Sequence, residues 1–136
     1  MTNKEFVAMF LKTFASNISE TDKKNFNLYS KKKGLLWDIF AANLVPCYCG
    51  DVARKEYDRI DKTEAIEINY SGNNSLIKDD AETSILSNNH MTSSDIDDCG
   101  LIEFYVVGKN FEWCYVVTHE LDLCGPYFCF KRNSKK

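Results

Sequence analysis

The chain contains no apolar run near the ~20 residues a bilayer-spanning helix requires, so no membrane role is expected. It has no Gly-rich phosphate loop, no His-Glu-x-x-His zinc motif and no Gly-x-Ser-x-Gly nucleophile elbow. The best-marked phosphate, zinc and serine-hydrolase chemistries are therefore without a signature. No internal repeat, low-complexity tract or Pro/Gly-rich linker divides the 136 residues, a length that suits one domain. A secretory signal core is missing too, because Lys4, Glu5 and Lys12 interrupt the opening apolar residues. The expected location is the cytoplasm. There the six cysteines, Cys47, Cys49, Cys99, Cys114, Cys124 and Cys129, are expected to be mostly reduced thiols.

What the chain does have is enough apolar material for a core, at 44% hydrophobic and 13% aromatic residues. Its charge is unevenly spread. Residues 1–63 carry 11 basic and 8 acidic side chains, residues 64–122 carry 2 and 12, and residues 123–136 carry 4 and none. The net −3 therefore hides a middle segment at −10. Phosphate backbones need basic side chains, so nucleic acid is not an expected partner. A basic protein is, because a negative face attracts and orients a cationic one.

Phe6, Phe10 and Phe14 recur every four residues with Val7 and Leu11 beside them, which predicts an amphipathic first helix. Ser19-Glu20-Thr21-Asp22 resembles a capping arrangement for a second helix, with Phe26 and Tyr29 inward and Lys31-Lys32-Lys33-Gly34 as its end. Leu35 to Phe40 fits a short helix or a buried strand, and Ala41-Ala42-Asn43 favours the helix before Pro46 stops it. Asp51 is expected to cap a helix through Ile60, with Val52, Ala53, Tyr57 and Ile60 inward.

After Thr63 the pattern changes. Ile66, Ile68 and Tyr70 alternate with Glu67 and Asn69, as in a half-buried strand. Residues 71–100 are turn-rich, with a short strand expected at Thr83 to Leu86 and a helical turn capped by Thr92. Leu101 to Val107 and Phe111 to Thr118 flank Gly108-Lys109-Asn110 and predict a hairpin. On its second strand Phe111, Trp113, Tyr115 and Val117 are expected to share one face. A last strand is expected from about Tyr127 to Phe130. The sum is an α+β fold, with N-terminal helices packed on a C-terminal, mainly antiparallel sheet of about four strands. It is expected to be a single domain over residues 1–130, followed by a basic tail at 131–136.

The one compact group of reactive types is Thr118-His119-Glu120 with Asp122 and Cys124. His119 as general base, Glu120 or Asp122 as its orienter and Cys124 as nucleophile would make a hydrolase or acyl-transfer centre. Neighbours on a strand face opposite ways, however, so His119 and Glu120 would not pair unless the chain turns there. The plainer reading has His119 bonded to backbone and Glu120 in solvent. Cys47-Tyr48-Cys49 spaces its thiols too closely for an ordinary zinc pair, so neither a metal nor another cofactor is expected. Asp79-Asp80 and Asp97-Asp98 read as solvated loop acids.

Several longer words are distinctive: Gly34-Leu35-Leu36-Trp37-Asp38-Ile39-Phe40, then Phe111-Glu112-Trp113-Cys114-Tyr115-Val116-Val117-Thr118-His119-Glu120, then Cys124-Gly125-Pro126-Tyr127-Phe128. Together with Phe104 to Val107 they resemble domain-of-unknown-function family 4275 of Bacillus-like and clostridial bacteria. The likeness runs from about Phe14 to Phe128. Cys114 stands where that family more often has threonine, and Leu123 where it often has tryptophan. The resemblance implies one intracellular domain of this length and carries no activity. It singles out Trp37, Trp113, Thr118 and Tyr127 as candidate binding residues, although Trp113 and Tyr127 read first as core residues, since aromatic strand residues mostly bury area. Gly125-Pro126 is expected to lead into an edge strand. The expected function is a non-catalytic protein-binding module, of immunity or regulatory type. The alternative is a small hydrolase or acyl-transfer enzyme using His119, Glu120 and Cys124.

Overall fold

The computed structural model describes residues 3–16, 19, 21, 46–69, 84–85, 91–98, 104–117 and 125–131. The expected second helix beyond Thr21, the Leu35 to Asn43 segment and the tail beyond Lys131 lie outside these. Helix α1 spans Asn3–Phe14, and its Phe6, Phe10, Leu11 and Phe14 are buried as their spacing predicts. Strand β1 is Tyr48–Cys49, helix α2 is Asp51–Arg59, and strands β2 and β3 are Ile66–Asn69 and Ser84–Ile85. Helix α3 is Ser93–Asp98, followed by β4 at Phe104–Val107, β5 at Trp113–Val117 and β6 at Tyr127–Phe130. The fold is α+β. The sheet has six strands in the order β1-β6-β5-β4-β2-β3, every pair antiparallel. The expectation of about four strands missed the two-residue edge β1, which is too short to show periodicity, whereas β3 lies inside the short strand expected at Thr83 to Leu86.

Helix α2 starts at Gly50, not on a side-chain cap from Asp51. Gly50 has φ 66° and supplies the carbonyl that accepts the Arg54 N–H. Its own N–H donates to the Pro126 carbonyl at 2.9 Å, which ties the helix start to the strand below. Asp51 stands one residue inside, favourable at the positive end of the helix dipole, and pairs with Arg54 at 2.8 Å. Ala53 and Tyr57 point into the core and Ile60 packs on it. Val52 lies off that stripe and is 52% exposed, contrary to the expectation that it faces inward.

Thr92 caps α3 reciprocally with Asp95, its hydroxyl accepting the Asp95 N–H at 3.1 Å while Asp95 accepts the Thr92 N–H at 3.0 Å. The β4–β5 hairpin pairs Val107 with Cys114 and Phe104 with Val117. A 3-10 turn over Lys109–Phe111 joins its strands. Asn110 and Phe111 adopt φ 58° and 56° there, and this twist takes Phe111 out of the strand pattern. Instead of joining Trp113, the Phe111 ring meets Phe6 of α1 at 5.6 Å.

Both faces of the sheet are covered. Phe104, Val106, Trp113, Tyr115, Val117 and Phe128 share a cluster with Ala53, Tyr57 and Ile96 of α2 and α3. Tyr105, one residue off that face, meets Phe10 of α1 edge-on at 5.9 Å. Consequently every residue of β4 and β5 is buried, and each large apolar side chain contributes roughly 2 kcal/mol of burial. The Gly125 to Pro126 step leads into β6, which has a neighbour on each side. The edge-strand expectation for Pro126 is thereby corrected: the proline precedes an interior strand and withholds no ladder N–H. Gly125 is required there by φ 97°, and a Cβ would lie 2.9 Å from the Tyr127 ring.

Candidate functional site

Of the residues singled out in the sequence, Trp113 and Tyr127 are buried within β5 and β6. Trp113 stacks on Phe128 at 5.6 Å with the planes 17° apart, and Tyr57 meets its edge at 6.0 Å. Trp37, Thr118, His119, Glu120, Asp122 and Cys124 lie outside the described residues, as do His90, Cys99 and Asp79-Asp80. Among the described residues, no three His, Cys, Asp or Glu side chains are placed to hold a metal ion, and no helix is long and apolar enough to cross a membrane.

The polar groups that do converge lie where α2 and α3 cover β5. Tyr57 of α2 and Tyr115 of β5 stack with ring centroids 4.2 Å apart and planes 15° apart. Among the described residues, both hydroxyls are buried without a hydrogen-bond partner, and so is Oδ1 of Asp97. The other oxygen of Asp97 accepts from Arg54 Nε at 3.1 Å. Asp97 therefore belongs to α3 and to a long-range ion pair, which corrects its reading as a solvated loop acid. The sequence marks neither partner, since 43 residues separate them.

Asp58 completes the seam, accepting from the Ser93 N–H at 2.7 Å and the Ser93 hydroxyl at 2.9 Å. This satisfies an N–H at the start of α3 that no helical carbonyl can reach. Removing it in Asp58→Ala should cost about 2 kcal/mol by leaving a half-buried donor unpaired. Urea unfolding measures the loss, and a change of only a few tenths of a kcal/mol would refute the assignment.

Below the seam, Lys62 is buried beside Tyr57, its ammonium 4.5 Å from the ring centroid. It donates to the carbonyls of Ile60 at 3.2 Å and Asp58 at 3.4 Å. Burial lowers the Lys62 pKa, opposed by Asp58 and Asp61. Burial also raises both tyrosine pKa values well above the ordinary phenol range, with Asp58 the next contributor for Tyr57 and Asp97 for Tyr115. Both phenols therefore stay protonated at neutral pH, which unsuits them to act as bases or nucleophiles. The arrangement is a closed, packed seam in which both tyrosines are fully buried. It supplies no activated nucleophile of its own.

No curated protein and no solved structure matches the chain. The family model described as Domain of unknown function (DUF4275) matches residues 4–128, which takes in α1, both hairpin strands and the start of β6. A match over nearly all of the 136 residues shows the family, and the chain belongs to DUF4275.

Proposed function

We propose that this domain is a non-catalytic protein-binding module for a basic protein partner. The observation that supports it most directly is an exposed aromatic edge. Tyr48 on β1 and Phe130 on β6 are 44% and 38% exposed, and they meet edge-on at 6.4 Å. Val52 of α2 follows β1 closely in the chain and is exposed as well. Exposed aromatic side chains, tyrosine above all, are frequent anchors of protein interfaces. Around the rest of the molecule Glu64, Asp95 and Glu112 are exposed acids from the −10 segment. Lys109 offsets Glu64 at 3.5 Å, with both side chains largely in solvent, so the pair is weak and salt-screened. The remaining acids would draw a cationic surface in before the aromatic edge engages.

Affinity capture from a host extract tests the reading in two independent ways. A basic protein should be retained by the wild-type chain and released as salt shortens the Debye length below ~10 Å. The same protein should be lost with Tyr48→Ser and Phe130→Ser; because both rings also touch the buried Phe128, each variant is first shown to be folded by circular dichroism. Capture that ignores salt and survives both substitutions would overturn the proposal.

A further inference from the structure

Register places three cysteines in one row across the sheet. Cys114 on β5 lies opposite Cys129 on β6. On its other side β6 pairs with β1 as Tyr48 with Phe128 and Cys49 with Tyr127. One step further along that ladder, Cys47 falls opposite Cys129. The Cys129 thiol donates to the carbonyl of Pro46, the residue before Cys47, at 3.5 Å. It also shares a hydrogen bond with the Cys114 thiol.

Opposed residues in an antiparallel ladder share a face, as do residues two apart on a strand. Cys47, Cys129 and Cys114 thus form a row on one face, with Cys49 a single pleat away. Exposure falls along this group: Cys49 is exposed, Cys47 half-buried, and Cys129 and Cys114 are buried. Burial, with Cys129 and Cys49 close by, pushes the Cys47 thiol up to about 12. Burial therefore keeps the Cys47 and Cys114 thiols protonated and slow at neutral pH, which leaves Cys49 as the member of this group that an external reagent reaches first.

We propose that Cys47 and Cys129 are a thiol–disulfide pair, oxidised by a small soluble disulfide that is received at Cys49. The Cys49 thiolate attacks one sulfur of that disulfide and expels half of it as a thiol. The Cys47 sulfur, releasing its proton to solvent, attacks Cys49 and expels the second half, which takes up a proton. Cys129 then attacks Cys47, and Cys49 leaves as a thiol again. The chain loses two electrons and two protons in forming one S–S bond, and the small disulfide gains them as two thiols. The bond would fasten edge strand β1, which carries Tyr48, to β6.

Incubating the reduced full-length chain with glutathione disulfide at mildly alkaline pH, followed by peptide mapping without reductant, tests this. The expected product joins Cys47 to Cys129 and releases two glutathione thiols per chain. Because the bond closes a long loop, the melting temperature should rise on the order of 10 °C. Cys49→Ser, a surface change, should slow the oxidation by about tenfold or more while leaving the final linkage the same. Reaction that stops at a glutathione adduct on Cys49, or at a Cys47–Cys49 bond with Cys129 still free, would overturn the proposal. So would an unchanged rate in Cys49→Ser.

Discussion

Gly108→Ala should destabilise the protein by about 3–5 kcal/mol, the cost of forcing a large aromatic side chain out of a core. The backbone at Gly108 is ordinary, with φ −71°, so the reason is space. A Cβ there would lie 2.2 Å from Nε1 of Trp113 and 2.5 Å from its Cε2, far inside contact distance. The neighbour cannot easily yield. The Trp113 indole is stacked on Phe128 and edged by Tyr57. Its backbone is held by the Gly108 N–H donating to the Trp113 carbonyl at 2.9 Å. Relief requires either the indole to leave its site or the hairpin to open. Urea denaturation of wild type, Gly108→Ala, Trp113→Phe and the double variant measures the coupling. The smaller ring should recover part of the loss, so the two changes together should cost less than their sum. A Gly108→Ala penalty below about 1 kcal/mol, under the usual cost of overpacking a core, would show that the indole has room to move.

Tyr57 should give effects of opposite sign with two substitutions. Tyr57→Ala removes a ring stacked on Tyr115, lying beside Trp113 and under the Lys62 ammonium, and should cost about 3–5 kcal/mol. Tyr57→Phe keeps the ring and deletes a buried hydroxyl that has no partner among the described residues. Burying such a group costs free energy, so Phe should be neutral or stabilising by about 1 kcal/mol. Tyr115→Phe should behave likewise. Thermal unfolding of the three variants and wild type decides the matter. Should Tyr57→Phe cost more than about 1 kcal/mol, the hydroxyl is satisfied in the folded state and the α2–α3 seam is not the polar site described above.

Much of the scaffold was legible because its signals are local. The Phe6, Phe10 and Phe14 spacing is a helix face, and α1 buries that face. Thr92 three residues before Asp95 is a cap, and α3 begins on it. The glycine-containing turn between two β-rich runs is a hairpin, and Tyr127–Phe130 is a strand with the bounds its composition suggests. Errors came where two local rules competed. Asp51 is a good capping residue, yet Gly50 could take a positive φ and bond back to Pro126, so the helix began one residue earlier. Phe111 fits a strand alternation, but the turn before it twists by two left-handed residues and delivers the ring to α1.

The candidate site was scarcely legible at all. Asp97 in the sequence is one of two adjacent acids in a polar stretch. It gains its meaning from Arg54, 43 residues away. Tyr57 reads as inward-facing and Tyr115 as sharing a face with Trp113 and Val117, but their stacking depends on how α2 crosses β5.

By itself, then, the sequence determined the helix and strand types, the hairpin, the family and the lopsided charge. All of these follow from periodicity, turn chemistry and composition over short windows. The tertiary structure alone decided which strands flank that hairpin, that the sheet is covered on both faces, and that three cysteines from separate segments share one row. Those outcomes depend on pairing across tens of residues, where burial and backbone hydrogen bonding choose among partners that look equivalent along the chain.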